Sequence, residues 1–248
     1  MLKRILPFFM ISVVVVSLFT GCKAKMGFLQ KRSTVESEEL QFVTPKEGDT
    51  IATIDTSLGT IICVLYPQYA PKAVENFINL SQKGYYNGLT FHRVVSDFII
   101  QSGDPTATGS GGESYWGVPF ENEFTDKLHH YAGALSMSNR DSENVSGTNT
   151  SQFFIVACPQ NSVPDTLTTK MLDAGWRDAV IKAYQAAGGA PYLDNLNTVF
   201  GQVIKGMDIV DKIAAVEVDE NDKPVEDVVV STITIGTFTA NILEENDK

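Results

Sequence analysis

The chain has few cysteines and few histidines, three of each in 248 residues. Cys63 and Cys158 lie in apolar, strand-like segments, so we predict buried free thiols, with one disulfide between them as the open alternative. Two such cysteines are too few for a disulfide scaffold. His92, His129 and His130 are not accompanied by Asp, Glu or Cys at ligand spacing. We therefore expect neither a metal site nor a bound cofactor.

Positive charge is also scarce, since 19 Lys and Arg stand against 30 Asp and Glu, a formal net charge of -11 at pH 7. A surface this negative repels phosphate backbones, which excludes nucleic acid as the expected partner. The Gly-rich loop over residues 106–117 has neither the P-loop pattern nor the complete dinucleotide-binding glycine pattern. The chain also lacks the Gly-x-Ser-x-Gly elbow of many hydrolases.

Long hydrophobic runs are missing after the first two dozen residues. Two basic residues precede an apolar run over residues 5–19, the layout of a secretory signal. The run of about 15 residues is short for a membrane span, which needs about 20. The small residues before Cys22 resemble a bacterial lipobox, although Leu18 stands one position earlier than usual. We expect a signal peptide over residues 1–21 and a palmitate-bearing lipid on Cys22, with an ordinary secretory signal and an uncleaved anchor as alternatives.

The mature chain is expected to divide into three parts. Residues 23–48 are polar and lack a sustained hydrophobic period, which predicts a flexible tether behind the lipidated Cys22. A single domain is predicted over residues 49–240, followed by an acidic tail over 241–248. We expect a monomer anchored to the bacterial membrane and facing the extracytoplasmic space.

The predicted domain consists mainly of short strands. Runs rich in Ile, Val and Thr flank Ser57-Leu58-Gly59, which is typical of a β-hairpin. Strands are predicted over residues 50–56, 60–66, 134–137, 152–157, 198–204 and 228–235. Helices are predicted over residues 71–83 and 207–214, and one or two more over residues 165–189, where Gly175 can break the segment. Many short strands with few helices indicate a β-barrel or sandwich rather than a parallel βαβ sheet.

The stretch from Phe91 to Asp104 carries the strongest functional signal. Two apolar, β-branched runs flank Ser96-Asp97, so the stretch predicts two paired strands. Such pairing brings Arg93, Phe98 and Gln101 onto one surface, while His92 points the opposite way, toward the core. An ordinary hairpin with a salt-bridged Arg is the alternative interpretation of this stretch alone.

Several further segments occur in an order that one family shares. They are Phe91 to Val95, Phe98, Gln101 to Asp104, the Gly-rich loop, Phe120 to Phe124, Leu135 to Asn139, Ser151 to Ile155 and Val199 to Gly201. Together they resemble the cyclophilin-type peptidyl-prolyl isomerases over about residues 50–235. The resemblance implies a mainly β fold, a closed eight-stranded antiparallel barrel capped by two helices. Residues 162–191 form a longer link than minimal cyclophilins have, a helical insertion that either covers apolar surface or contacts substrate.

The resemblance also implies a set of groove residues. The expected catalytic residues are Arg93, Gln101, Phe98 and Asn139. The expected substrate-binding residues are Ile99, Ser138, Gln152, Phe154, Tyr192, Leu193 and Asn197. This chain has Tyr192 where many cyclophilins have Trp, and Asn197 where many have His. The Tyr implies weaker binding of the inhibitor cyclosporin, and the Asn can still donate a hydrogen bond to a substrate carbonyl.

The sequence therefore predicts a membrane-anchored foldase that accelerates rotation about X-Pro bonds in exported, partly folded proteins. The expected partners are proline-containing peptide segments of such proteins. The alternative from another class is a proline-peptide-binding chaperone module with little turnover, for which the two departures at Tyr192 and Asn197 leave room. A solute-binding lipoprotein would need two α/β lobes, which the strand pattern does not supply.

Overall fold

The computed structural model describes residues 32–139 and 147–244. Its strands are β1 Thr50–Thr56, β2 Gly59–Leu65, β3 Arg93–Val95, β4 Ile99–Ser102, β5 Ala134–Met137, β6 Phe153–Val156, β7 Val199–Lys205 and β8 Val230–Thr237. Its helices are α1 Pro71–Gln82, α2 Asp165–Asp173, α3 Asp178–Ala187, α4 Met207–Ala214 and α5 Asn241–Glu244. Within the described ranges, no helix is long and apolar enough to cross a membrane. The predicted signal peptide, Cys22, residues 23–31 and the last four residues of the predicted tail lie outside those ranges.

All eight strands belong to one antiparallel sheet with the order β3-β4-β6-β5-β7-β2-β1-β8. The prediction of a mainly β, antiparallel fold is confirmed. The sheet is curled and its terminal strands are β3 and β8. Just before these two strands, Thr90 and Val229 form a single bridge. The pairings between the strands therefore define a curled sheet. They do not by themselves close it into the predicted barrel.

Helices α1 and α4 cap the core on the inner side of the sheet. Pro71 occupies the first turn of α1, where its missing N–H has no helical partner to lose. The apolar residues of α1 recur at helical spacing, so Val74 and Phe77 face inward and are buried. The ring of Phe77 lies 5.4 Å from that of Phe153 in β6 and 5.2 Å from that of Phe200 in β7. These contacts join α1 to the strands that carry the candidate site.

The predicted insertion is helical and consists of α2 and α3. Gly175 breaks the segment with a φ of +78°, and Gly188 ends α3 with a φ of +77°. Gly188 is also required by space, because a Cβ there would overlap the carbonyl oxygen of Pro159. The ring of Tyr184 on α3 packs 4.5 Å from that of Tyr131. The insertion thus covers apolar surface, the first of the two roles considered for it.

The prediction of a flexible tether is wrong for residues 32–42, which lie against the domain. The guanidinium of Arg32 donates to both carboxylate oxygens of Asp211 on α4, at 2.7 and 2.9 Å. Glu39 is 7% exposed and accepts hydrogen bonds of 2.7 and 2.9 Å from the guanidinium of Arg177. A segment without hydrophobic periodicity is therefore ordered by charge partners that are remote in the sequence.

Gln41 is buried and joins the N-terminal segment, residues 32–42, to the domain by three hydrogen bonds. Its amide nitrogen donates to the carbonyl of His129 at 2.9 Å and to Oε1 of Gln202 at 2.8 Å. Its amide oxygen accepts from the backbone N–H of His129 at 2.7 Å. One side chain therefore satisfies both main-chain groups of a buried residue, as a β-strand partner would.

Both described cysteines are buried free thiols, which confirms that prediction and removes the disulfide alternative. Burial raises the pKa of Cys158 to about 11, and burial raises the pKa of Cys63 still further. A thiol that stays protonated is a poor nucleophile and a poor metal ligand. Neither cysteine is therefore suited to catalysis.

We predict that Gln41→Ala lowers the free energy of unfolding by roughly 2–4 kcal/mol, because the N–H and C=O of His129 lose their partner inside the protein. Thr44→Ala is the control, since Thr44 is exposed just after this segment and should change stability by less than about 0.5 kcal/mol. Urea denaturation of both variants measures the difference. Equal stability of Gln41→Ala and the wild type would show that residues 32–42 are not held on the domain in solution.

Candidate active site

Strand register places four polar and aromatic side chains in one row across the sheet. Arg93 on β3 is opposite Gln101 on β4, Gln101 is opposite Phe154 on β6, and Phe154 is opposite Ser136 on β5. Directly opposed residues project from the same face of a sheet. The neighbouring Ile100 points into the inner core, so the row lies on the outer face. The predicted surface shared by Arg93 and Gln101 is present.

Arg93 is partly exposed and has an acidic neighbour that sequence analysis missed. Its Nη2 lies 3.4 Å from Oδ2 of Asp222, and the two side chains are 41% and 44% exposed. Asp222 belongs to the loop between α4 and β8, and its carbonyl accepts a 2.8 Å hydrogen bond from the N–H of Val94. An exposed pair of this kind contributes about 1 kcal/mol or less, so it orients the guanidinium without sequestering it. Arg93 is therefore salt-bridged, as the alternative interpretation of this stretch holds, and it also lies on the surface predicted to be shared with Gln101.

An apolar patch lies beside Arg93. The rings of Phe98 and Tyr192 are 5.9 Å apart and tilted by 35°. Tyr192 is 59% exposed and forms the edge of the patch. Phe98 follows the tight turn at Asp97, whose φ of +58° directs the chain back into β4. The five predicted residues of the patch belong to one outer cluster or its rim: Phe98, Ile99, Phe154, Tyr192 and Leu193.

A chain of amides lies on the other side of the row. Nε2 of Gln101 donates to Oε1 of Gln152 at 2.9 Å and to Oγ of Ser138 at 3.0 Å. Nε2 of Gln152 donates in turn to the carbonyls of Gly109 and Gly111, at 3.0 and 2.8 Å. Gln152 therefore holds Gln101 in position. These residues border an open cavity of about 350 Å³.

The Gly-rich loop is held in place by Asp104. Its carboxylate accepts hydrogen bonds from the N–H groups of Thr106, Thr108 and Gly111 at 2.8, 3.1 and 3.0 Å. Burial by itself would raise the pKa of Asp104, but these hydrogen bonds outweigh burial and lower the pKa to about 2. The ionised Asp104 therefore fixes the loop carbonyls to which Gln152 donates.

Asn139 and Asn197 bond to each other at the far end of the site. Nδ2 of Asn139 donates to the carbonyl of Leu196 at 2.7 Å. Nδ2 of Asn197 donates to the carbonyl of Met137 at 3.1 Å and to Oδ1 of Asn139 at 3.2 Å. Both amide hydrogens of Asn197 therefore point at protein acceptors, and its donation to a substrate carbonyl stays a prediction.

A buried polar cluster lies behind Phe154, and sequence analysis missed it. The ring of His130 stacks on that of Phe154 with centroids 5.9 Å apart and planes 19° apart. Oδ1 of Asp194 is 2.7 Å from Nδ1 of His130, and Oδ2 is 2.7 Å from Nδ1 of His129. Burial alone would raise the pKa of Asp194, but the hydrogen bonds and charges of the two histidines lower it to about 2. The adjacent His129 and His130 are visible in the sequence. The cluster was missed because Asp194, which accepts hydrogen bonds from both, lies more than 60 residues further along the chain.

The same cluster resembles a Ser-His-Asp relay, since Nε2 of His130 lies 3.0 Å from Oγ of Ser136. Ser136 is fully buried, so its hydroxyl cannot reach a substrate carbonyl. His92 is buried, Asp104 and Gln152 are among the groups around it, and desolvation lowers its pKa. Among the residues that the structure describes, no three His, Cys, Asp or Glu are grouped to hold a metal.

Residues 51–235 match the family model described as cyclophilin type peptidyl-prolyl cis-trans isomerase/CLD. A protein named as a peptidyl-prolyl cis-trans isomerase from Staphylococcus saprophyticus is 46% identical over 196 residues, which cover 79% of this chain and 96% of the relative. One of the same name from Staphylococcus haemolyticus is 44% identical over 190 residues, covering 77% and 93% of the two chains.

Solved structures agree with these matches. A crystal structure of a Cryptosporidium parvum cyclophilin type peptidyl-prolyl cis-trans isomerase is 29% identical, has a TM-score of 0.62, and is matched over 77% of this chain and 99% of its own. The same protein in the presence of the dipeptide Ala-Pro gives 30% identity, a TM-score of 0.59, and coverage of 75% and 98%. The fold, the outer-face row and these matches together establish that the chain belongs to the cyclophilin-type peptidyl-prolyl cis-trans isomerases and has their enzymatic activity.

Proposed function

We propose that Arg93 and the apolar patch beside it are the catalytic centre of this isomerase. The observation that supports the proposal most is the row in which Arg93, Gln101 and Phe154 face outward from three adjacent strands. A guanidinium, an amide and an aromatic wall then occupy one open surface. An extended peptide can lie across such a surface without entering the core.

The reaction needs no proton transfer and no cofactor. Rotation about an X-Pro bond faces a barrier of about 18–20 kcal/mol because the amide is stabilised by resonance. The two isomers differ by only about 0.5–1 kcal/mol. As the bond twists, the proline nitrogen loses conjugation and its lone pair becomes a hydrogen-bond acceptor. A fixed donor at that nitrogen therefore stabilises the twisted state more than either planar state.

Arg93 is the proposed donor. A charge-assisted hydrogen bond contributes about 1.5–3 kcal/mol, which corresponds to a roughly ten- to hundredfold faster reaction. The guanidinium has several N–H groups in a planar fork, so one nitrogen can face Asp222 at 3.4 Å while others face the substrate. The partial exposure of Arg93 leaves room for a peptide to approach it.

The pyrrolidine ring of proline is proposed to bind the apolar patch. Ile99 and Phe154 form its buried floor, while Phe98 and Leu193 pack against the same cluster. Tyr192 edges the patch and replaces the larger Trp of many cyclophilins, which leaves less aromatic surface for an inhibitor or substrate. The ring is thereby fixed while the preceding residue turns.

The peptide on the other side of the bond is proposed to bind the amide chain. Gln101 and Asn139 border the open cavity of about 350 Å³. Both amide hydrogens of Gln101 are engaged by Gln152 and Ser138, so Gln101 presents its Oε1 as an acceptor for a peptide N–H. Ser138 and Gln152 line the same cavity. The hydrogen bond from Gln101 to Gln152 holds Gln101 in place before substrate binds, which reduces the entropy lost on binding.

We predict that Arg93→Ala lowers kcat/KM for an Ala-Pro peptide by ten- to hundredfold, measured by NMR exchange with the full chain. Arg93→Lys is the matched variant, because it keeps the charge without the planar fork. Its kcat/KM should lie between that of the wild type and that of Arg93→Ala. Circular dichroism establishes that both variants are folded. If the folded wild type binds the peptide without accelerating its isomerisation, the proline-peptide-binding chaperone is the correct function and Arg93 is not catalytic.

We also propose that the curled sheet closes into a barrel between the segment before β3 and the residues around the start of β8. The N–H of Gly88 donates to the carbonyl of Val230 at 2.8 Å, and the N–H of Phe91 donates to that of Val228 at 2.9 Å. The N–H of Val230 returns a bond of 2.7 Å to the carbonyl of Leu89. Three such bonds remove the open edge that a curled sheet would otherwise expose.

Barrel closure predicts slow hydrogen exchange at this seam. The amides of Phe91 and Val230 should exchange as slowly as those of the interior of β1, because opening the seam requires unfolding of the sheet. The amide of Thr44, an exposed residue whose N–H has no hydrogen-bond acceptor in the described residues, serves as the fast-exchanging reference. Exchange of Phe91 and Val230 at the rate of Thr44 would contradict closure.

The enzyme is further proposed to act outside the cytoplasm, held to the membrane by a lipid on Cys22. The secretory layout of residues 5–19 and the small residues before Cys22 support this proposal. Because Arg32 is bound to Asp211, the ten residue steps from Cys22 to Arg32 reach at most about 36 Å when fully extended. Such a tether would keep the active surface near emerging proteins that are still partly folded.

Lipidation predicts that Cys22 is the site of fatty-acid attachment. Metabolic labelling with radioactive palmitate should mark the wild-type chain, and Cys22→Ala should lose the label, because a thiol at that position accepts the lipid. Cys158→Ala is the control, since its buried thiol is not expected to be acylated. Undiminished labelling of Cys22→Ala would rule out the lipoprotein proposal.

A further inference from the structure

His130 lies directly behind the proposed wall of the proline pocket. Its ring stacks on the ring of Phe154 at 5.9 Å with an interplanar angle of 19°. The side chain of His130 is 1% exposed and Phe154 is 4% exposed. A substrate on the outer face therefore meets Phe154 and does not reach His130. The contact determines which orientations of the Phe154 ring are free of steric clash.

Both nitrogens of the His130 ring are held by hydrogen bonds. The carboxylate of Asp194 is 2.7 Å from Nδ1 and also accepts the backbone N–H of His130 at 2.9 Å. Because this carboxylate is ionised and only accepts, Nδ1 of His130 carries the hydrogen. Nε2 lies 3.0 Å from Oγ of Ser136. Contacts at opposite ends of the ring leave it no free rotation about χ2.

The hydrogen bonds of this ring are complete in either charge state. In neutral His130, Nε2 accepts the hydroxyl hydrogen of Ser136. In the cation, Nε2 donates to Oγ of Ser136, whose hydroxyl then donates to the carbonyl of Thr198 at 3.1 Å. That carbonyl already accepts the N–H of Met137 at 2.9 Å, so neither state leaves it unpaired. The ring is thus held in one orientation whether or not it gains a proton.

We propose that His130 is a positioning residue, which acts through Phe154 to hold the wall of the proline pocket in its productive orientation. The inference rests on the proposed role of Phe154 in that pocket. Phe154 is opposite Gln101 in the strand register, and Gln101 is opposite Arg93. A rotation of the Phe154 ring therefore moves the bound proline relative to the guanidinium that must meet its nitrogen.

The anchoring of the ring extends into the insertion. Asp194 also accepts a 2.9 Å hydrogen bond from the hydroxyl of Tyr184 on α3 and faces Nδ1 of His129 at 2.7 Å. The carboxylate thus fixes His130 with respect to α3, while Ser136 fixes it with respect to β5. The insertion contributes to the site through this carboxylate and does not need to touch the substrate.

The test compares three substitutions of His130 in the full chain by NMR exchange on an Ala-Pro peptide. His130→Ala should lower kcat/KM by roughly tenfold, the rate equivalent of one lost aromatic contact. His130→Phe should retain kcat/KM within about threefold, because a ring still backs Phe154. His130→Gln keeps hydrogen-bonding groups without a ring and should fall with His130→Ala. Lys182→Ala is the control, since Lys182 is exposed on the same helix and lies outside the hydrogen bonds of Asp194, and its kcat/KM should stay within twofold of wild type.

Two spectroscopic measurements separate positioning from simple loss of stability. In chains with ¹³C-labelled Phe rings, the Phe154 signals should shift in folded His130→Ala and remain close to wild type in His130→Phe. In the wild type, NMR should show the Nδ1-bound hydrogen of His130 and a nuclear Overhauser effect between its ring and that of Phe154. The wild-type measurement applies even if a variant does not fold, and absence of that Overhauser effect overturns the proposal.

The outcome is also distinguishable from failure of the proposed pocket. Phe154→Leu is measured in parallel, because it keeps an apolar side chain without the ring. Full activity of Phe154→Leu would remove Phe154 from the pocket and the inference with it. A tenfold loss in Phe154→Leu combined with wild-type kcat/KM in folded His130→Ala would overturn only the role of His130. Failure of folded His130→Phe to recover the loss of His130→Ala would likewise overturn it.

Discussion

The antiparallel register of β3, β4, β6 and β5 is the constraint on which the site depends. It aligns Arg93, Gln101 and Phe154 on the outer face of the sheet, although they come from strands that are separated in the chain. A slip of one residue in any pair would turn the side chains of that strand to the opposite face. Core packing opposes such a slip, because Ile100, Phe153 and Leu135 must all stay buried on the inner side. The hydrophobic core therefore determines the geometry of a polar surface.

The outer face is organised by carboxylates that are buried or shielded from solvent. Asp104 binds three loop N–H groups and fixes the carbonyls to which Gln152 donates. Asp194 binds two histidines and a tyrosine behind the aromatic wall. Each is held ionised by hydrogen bonds that outweigh the cost of burial, and each has a pKa of about 2. Such preorganised groups suit a reaction in which the enzyme stabilises a twisted amide without exchanging protons.

Sequence reasoning predicted much of the fold for identifiable reasons. The helix at Pro71–Gln82 begins with Pro and has apolar residues at helical spacing, and the break at Gly175 follows from a residue that adopts positive φ at little cost. Both signals are local, so a single sequence contains them. The predicted tether failed because Arg32, Glu39 and Gln41 bind partners more than a hundred residues away, and no local pattern reveals such pairs. Ion pairs and amide hydrogen bonds to distant parts of the chain order residues 32–42, which their composition predicted to be a flexible tether.

The sequence by itself determined the antiparallel mainly β class and the family, because alternation of apolar side chains and ordered motifs are properties of the linear chain. Only the tertiary structure decided which partners surround the residues expected in the groove. It joined Asp222 to Arg93, engaged both amide hydrogens of Asn197 within the protein, and placed His130 behind Phe154. These relations depend on distances between segments that the chain brings together on folding. Hydrogen bonding and ring stacking act over a few ångströms in space, whatever the separation in sequence.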